Sequence, residues 1–279
     1  MNQSEINDLR LDGVSETLFI PLQVRAMESQ RPDALIHDEA SVSLVKQLSY
    51  DYPKITLQEH DRVGFILRLR EFDRMGRDFL ARYPQAVVVH IGCGLDTRFE
   101  RLDNDQVEWY DLDLPEVISL RQKLLPNPCE RYHTLACSVF DDQWIEVVGV
   151  HRPRPFIFMA EGVLPYFEEA QVKSLVLRIK DQFPGAELVS DAHTPLMVWL
   201  DNLHIALTKI NARLRWKLKH GRDLEDWREG IRLLEEYFYF EQPEPRLGAS
   251  RWLRYIPPLA RGTGIFHYQL GEAVTAPRR

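Results

Sequence analysis

At 279 residues, with 44% hydrophobic and 28% charged side chains, the chain is long enough to bury a sizeable core and ordinary in composition for a globular protein. Its formal net charge of −7 removes the general attraction to phosphate on which nucleic-acid binding depends. Three cysteines (Cys93, Cys129, Cys137) without a CxxC pair point to reduced thiols and a cytoplasmic setting, and the lack of a signal core or a membrane-length apolar run argues against export and membrane insertion.

The first 84 residues read as helical. Asp38 is placed to cap a segment with Val42, Val45 and Leu48 on one face. Residues 59–82 then set Phe65, Leu69, Phe72, Phe79 and Leu80 at helical spacing until Tyr83-Pro84 stops them. From residue 86 the pattern alternates: strands at 86–91, 107–112, 132–137, 156–160 and 187–191, helices at 115–124 and 168–183. Such alternation predicts an α/β, doubly wound parallel sheet with its ligand crevice at the carboxyl ends of the strands. It breaks at 195–236, read as mostly helical (MVWLDNLHIALTKINARLRWKL, then DLEDWREGIRLLEEY) and placed as a lid over those ends. Two β segments follow at 237–242 and 265–270, and 275–279 is expected to be loose. The organisation predicted is one domain: a helical cap at 1–84, a Rossmann-like core at 85–194 and 237–279, and a helical lid insertion at 195–236.

The chemistry concentrates where strands end. The buried-looking run Val87, Val88, Val89, Ile91 empties into Gly92-Cys93-Gly94, a turn at which a ligand can meet bare backbone. Asp113 follows 19 positions after Gly94, against about 20 in the dinucleotide spacing rule, and its carboxylate suits a ribose diol. A lone GxG is equally a turn that links strand to helix; the spacing of Asp113 and the later strand-end acids favour a cofactor. The third glycine of a pyrophosphate loop is missing, and Asp96 stands where a phosphate would tolerate no anion. A nicotinamide dinucleotide fits poorly, whereas S-adenosylmethionine, with an adenosine, a sulfonium, an ammonium and no phosphate, fits. Ser138 and Val139 end the third strand on the adenine side, with Asp141 read as a cap or Asx turn. Glu161 follows the fourth strand, where burial demands a cation: the cofactor ammonium or an arginine. Arg68 and Arg70 are candidates for the cofactor carboxylate, and RWKLKHGR at 215–222 reads as a solvated helix face.

VVVHIGCGLDTRFERL, WYDLDLPEVISLRQKLLP and AEGVLPYFEEAQV together resemble the leucine carboxyl methyltransferase family, and the whole chain is similar to its bacterial branch of polyketide-synthesis O-methyltransferases. The resemblance implies a Rossmann-like S-adenosylmethionine-dependent methyltransferase that esterifies a carboxylate of a small organic or polyketide-type acid. Carried over motif by motif, it implies that Arg68 holds the cofactor carboxylate, that Gly92 meets its amino-acid part and that Glu161 takes its ammonium. Asp113 binds the ribose, Ser138 and Val139 the adenine side, and Arg25 falls near a basic contact from the N-terminal helices. Gly94 and Asp96 complete the cofactor set, and no metal is implied. His90, where asparagine is common, and LPYF at 164–167, in place of a more usual LMYL, depart from the pattern; Pro165 bears on the acceptor pocket.

Tyr166 is the candidate for orienting the acceptor, with a ring at the core edge as its structural reading. A carboxylate acceptor is ionised at neutral pH and needs no base; a phenol, with a reference pKa about 10, needs one, for which His193 is the candidate. Methylation of a protein C-terminal carboxylate and non-catalytic cofactor binding are the other readings. Oligomeric state is not legible.

Overall fold

The computed structural model describes residues 18–48, 57–125, 127–206 and 212–272. Parts of the expected cap and lid, and the tail at 275–279, lie outside them. Three helices come first: α1 (Phe19–Ser29), α2 (Glu39–Gln47) and α3 (Glu59–Arg82). Asp38 caps α2 by accepting the Ser41 N–H at 2.9 Å. α3 ends at Arg82, where Pro84 can neither donate a helical hydrogen bond nor leave its predecessor helical.

The core alternates β1 (Val87–Ile91), α4 (Arg98–Leu102), β2 (Glu108–Asp113), α5 (Pro115–Leu124), β3 (Tyr132–Ala136), α6 (Gln143–Gly149), β4 (Phe156–Ala160), α7 (Glu169–Gln182) and β5 (Ala186–His193). After α8 (Pro195–Ala206) the chain adds β6 (Ile231–Phe238), the short α9 (Pro257–Ala260) and β7 (Thr263–Leu270). The seven strands order as β3-β2-β1-β4-β5-β7-β6, with only β7 antiparallel to its neighbours. β1 is central and wholly buried: Val89 pairs with Tyr110 on one side and Phe158 on the other. Its alternate side chains feed two cores. Val87, Val89 and Ile91 pack with Trp144, Phe158 and Phe183 on one face; Val88 packs with Phe72, Phe79, Trp109 and Met159 under α3 on the other. A continuous apolar strand is what burial on both faces requires. No described helix is long and apolar enough to cross a membrane.

The insertion at 195–236 is a correction. Among the described residues of this segment only α8 is α-helical; residues 212–218 are extended, Gly221–Trp227 is a 3-10 turn, and the sheet resumes at Ile231, six residues before the expected start of its sixth strand at 237. The basic run is therefore not a helix face. Leu214, Trp216 and Leu218 are buried while Arg213, Arg215, Lys217 and Lys219 are exposed, a period of two that belongs to extended backbone. Its amides bond outward: Arg215 and Trp216 donate to Pro165 O at 2.8 and 3.1 Å, and Leu218 to His193 O at 2.9 Å. DLEDWREGIRLLEEY looks helical because Leu, Glu and Arg favour helix, but its second half gains a ladder along β7 and tertiary pairing overrides that local preference.

Candidate active site

The carboxyl ends of β1, β2, β4 and β5 lie side by side along one edge of the sheet, where a parallel sheet places its ligand crevice. Gly92 and Gly94 both have positive φ, at 64° and 50°. The reason for glycine differs from the ligand approach expected of it. A Cβ on Gly92 would lie 2.3 Å from Val163 Cγ2, and one on Gly94 2.9 Å from Leu18 Cδ2. The turn is thus clasped by protein from both sides, and its left-handed backbone could not carry a side chain without strain.

Asp113, the last residue of β2, closes the same turn. Its Oδ2 accepts the Gly94 N–H and its Oδ1 the Leu114 N–H, both at 2.8 Å. Burial raises its carboxyl above the ordinary aspartate range, a shift these two amides only partly offset. Arg121, which the sequence reading did not single out, braces the turn from beneath. It donates to Gly94 O at 3.0 Å and to Tyr132 Oη at 2.8 Å, and pairs with Asp111 at 2.5 Å.

Asp96 is not left facing the crevice as an open anion. Arg101 lies 3.0 Å and Arg98 3.3 Å from its carboxylate, and although burial opposes the charge, these arginines hold the carboxyl well below its usual range. The charge argument from Asp96 against phosphate therefore weakens, because its field is neutralised locally. Arg25 is likewise committed: its guanidinium donates to Asp38 and Ser41 at 3.0 Å and to Leu95 O at 2.7 Å, so it ties α1 and α2 to the turn's backbone.

Glu161 follows β4 and is met by arginine, one of the two cations expected for it. Arg68 Nε donates to Oε1 at 2.9 Å, and Arg98, fully buried, donates to Oε2. Burial resists its charge, but Arg98 and Arg68 together keep the carboxyl below its ordinary range. Arg68 also reaches Asp191 at 3.2 Å, and Asp191 accepts the Gly162 N–H at 2.8 Å. The pairs link into one unbroken chain of alternating charge: Arg25, Asp38, Arg101, Asp73, Arg98, Glu161, Arg68, Asp191. His90 adjoins it. Arg98 Nη1 lies 3.0 Å from His90 Nε2 and can only donate, so the network assigns the ring hydrogen to Nδ1, 3.3 Å from Asp111. Sequence alone signalled Arg98 only as the arginine of GxGxDTR.

Ser138 and Val139 lie in the turn that follows β3. Asp141 takes the Ser138 N–H at 2.9 Å, the turn role read for it, while Val139 O accepts from Trp144 Nε1 at 3.0 Å and Arg178 at 2.6 Å. Tyr166 lies on the 3-10 turn Leu164–Tyr166, whose Pro165 anchors the extended run described above. Burial raises its phenol, with Arg68, Asp191 and Asp201 within electrostatic reach. Arg70 turns instead toward Tyr237 on β6. The two amides leave the Asp113 carboxylate further lone pairs for a ligand diol, whereas a ligand cation at Glu161 has to share the carboxylate with Arg68 and Arg98.

A fold of this kind is shared with a Thermobifida fusca protein described as a methyltransferase, at a TM-score of 0.55 and 14% identity over 89% of this chain and 94% of that one. That likeness shows the fold; the class, the S-adenosylmethionine-dependent methyltransferases, is shown by sequence. Two curated relatives agree: the tetracenomycin polyketide synthesis O-methyltransferase TcmP of Streptomyces glaucescens is 34% identical over 93% of this chain and 98% of its own length. An S-adenosyl-L-methionine-dependent methyltransferase, dpfgK, of Gibberella zeae is 30% identical over 87% of this chain and 88% of its own. The leucine carboxyl methyltransferase family model matches residues 19–180, and the chain belongs to that family. It is an enzyme, and S-adenosylmethionine is its cofactor.

Proposed function

We propose that this enzyme transfers a methyl group to a carboxylate oxygen of a small organic or polyketide-type acid. The observation that carries the reading is the family match, over most of the chain's cofactor half, to a model named for carboxyl methylation. The O-methyltransferase TcmP, aligned over nearly its whole length, supports an oxygen acceptor of polyketide type.

S-adenosylmethionine, once bound, would supply a methyl on a sulfonium, and loss of that methyl to an acceptor oxygen would leave a neutral thioether. Oxygen–carbon bond formation and carbon–sulfur cleavage then balance, with the acceptor's negative charge and the sulfonium's positive charge cancelling. In this reading Asp113 holds the ribose, the Ser138-Val139 turn borders the adenine, and Gly92 and Gly94 border the amino-acid part. Arg68 takes the cofactor carboxylate and Glu161 its ammonium. Arg25 and Asp96 act one step removed, by fixing the turn. The chain's main task is positioning, since a carboxylate, with a reference pKa of about 4, is already a nucleophile at neutral pH. α8 and the 212–220 run cover the acceptor side as a lid, with Tyr166 beneath them orienting the acid. Free thiols at Cys93, Cys129 and Cys137 support a cytoplasmic enzyme.

The test is the chemistry of the product. With aromatic acids that also carry a ring hydroxyl, a base-labile methyl ester is expected, with log kcat flat from about pH 6 to 9. A base-stable ether would replace this reading with phenol methylation. Cofactor binding without transfer to any acid, or transfer only to peptides ending in a free carboxylate, would replace it with the remaining two alternatives.

A further inference from the structure

His193 closes β5 two positions beyond Asp191, so strand alternation sets both side chains on the α3 face of the sheet. Asp191 is already engaged by Arg68 and the Gly162 amide. His193 is held at one nitrogen only. Its Nδ1 lies 2.9 Å from Asp201 Oδ2 on α8 and 3.2 Å from Thr263 Oγ1, the residue opposite it in the β5–β7 register. Among the described residues Nε2 has no partner, and the side chain keeps 15% of its surface exposed. Two elements thus fix the ring while its second nitrogen stays available. Its charged partner is Asp201 from α8; Asp191, two positions back on its own strand, pairs with Arg68 from α3, and Tyr166 from the turn after β4 has both Asp191 and Asp201 as electrostatic neighbours.

Its place in the crevice matters, and here the argument rests on the reading proposed above. A cofactor that runs from Asp113 on β2 to Glu161 on β4 presents the acceptor across β5, where His193 stands. We propose that His193 anchors the acceptor carboxylate, its Nε2–H donating to the oxygen that is not methylated, with Asp201 as the positioning residue that fixes the ring. Both ring nitrogens then face carboxylate oxygens, Nδ1 that of Asp201 and Nε2 that of the acceptor, so the pairing calls for a donor at each. Methylation removes the acceptor's charge, so the ester loses the ion pair that held the acid and departs. No proton moves in the chemical step, which separates this role from that of a base for a phenol.

The test uses 3-hydroxy-2-naphthoate, which offers a carboxylate and a phenol on one ring, with radiolabelled S-adenosylmethionine. An anchor predicts that KM for the naphthoate rises about tenfold or more between pH 6 and 9, across the range where imidazole loses its charge, while kcat changes less than twofold. His193→Asn at pH 6 is expected to raise KM by about 10- to 100-fold, the range for losing a hydrogen bond between charged partners, and to flatten its pH dependence. S-adenosylhomocysteine binding by calorimetry, unchanged in the variant, shows that it is folded. His193→Gln, a neutral donor, restores part of the loss, and Asp201→Asn raises KM less than His193→Asn. A methyl ester formed with unchanged KM in His193→Asn overturns the anchor and leaves carboxyl methylation standing. An ether product whose kcat falls toward low pH and vanishes in His193→Asn overturns both.

Discussion

Asp113 Oδ2 accepts the backbone N–H of Gly94 at 2.8 Å, so the turn after β1 and the tip of β2 form one hydrogen-bonded unit. Because Oδ1 accepts a second amide, from Leu114, an asparagine here must set its NH2 against one of two donors. Asp113→Asn is expected to weaken S-adenosylmethionine binding at least tenfold and to cost about 1–3 kcal/mol of stability. Calorimetry and urea unfolding measure the two effects separately. Unchanged cofactor affinity would remove Asp113 from the ribose.

Gly92 makes a steric prediction with a built-in control. Gly92→Ala meets Val163 Cγ2 and also forces a side chain into left-handed backbone. Val163→Ala in the same chain relieves the clash but not the backbone term, which costs roughly 1–2 kcal/mol. The double variant should therefore recover part of the lost stability and stop short of wild type. Full recovery would mean that the turn tolerates φ of 64° without glycine.

Arg98 is wholly buried and serves Asp73, His90, Asp96 and Glu161 at once. Arg98→Met leaves at least two carboxylates short of a partner, and such losses cost about 3–5 kcal/mol. Arg98→Lys rescues little, because a single ammonium cannot reproduce a planar fork with five donors. The readout is the urea midpoint, and a loss under 1 kcal/mol would show that Arg101 and Arg68 can replace it.

Acid should undo the same network. Asp96, Asp38, Glu161, Asp111 and Glu187 are all held below their ordinary values in the fold, despite burial that opposes their charge, by neighbouring arginines and, at Asp111 and Glu187, histidines. A depressed carboxyl contributes stability above the unfolded-state value of about 4 and loses it as pH falls through the folded value. Asp113 has the opposite sign: its raised carboxyl contributes in acid and loses that contribution as pH rises through its folded value. Burial gives Glu100 the same sign as Asp113, but the lowered carboxyls are in the majority, so unfolding free energy is expected to fall steeply on acidification through about pH 4, and less steeply in Arg98→Met. A flat profile in wild type would contradict the ionised network.

β1 and β4 are legible because fully buried parallel strands must be largely apolar and must end in turns, as VVVHIGCG and FIFMAEG do, while β2, β3 and β5 follow from the alternation with helices. β6 is not legible. It is an edge strand, mostly exposed, with a bulge between Leu233 and Glu235, so its sequence is free to favour helix while β7 supplies its pairing. The same limit applies to the site. Asp113 and Glu161 follow from strand ends, but the partners of Asp96 come from α4, and those of Glu161 from α4 and α3, and only packing brings them together. The period of two in RLRWKLK was there to be read; its lysines and arginines drew attention away from the leucines and tryptophan between them.

The alternating chain of charge from Arg25 to Asp191 makes the N-terminal helices and the sheet a single module of inheritance. Replacing Asp38 strands Arg25 and Arg101, and correcting those strands Asp73 and Asp96 in turn. A cap transplanted from another protein would have to bring its counter-charges into the glycine turn with it. α8 and the 212–220 run carry a lighter obligation: beyond the pairs Asp201–His193 and Arg215–Glu168 they are held to the core by backbone amides, and Asn202 ties the two to each other by bonding both N–H and C=O of Leu214 at 2.9 Å. On the function proposed above, drift in what the enzyme accepts has its freest path through those two segments, while the charge-linked helices and sheet stay locked.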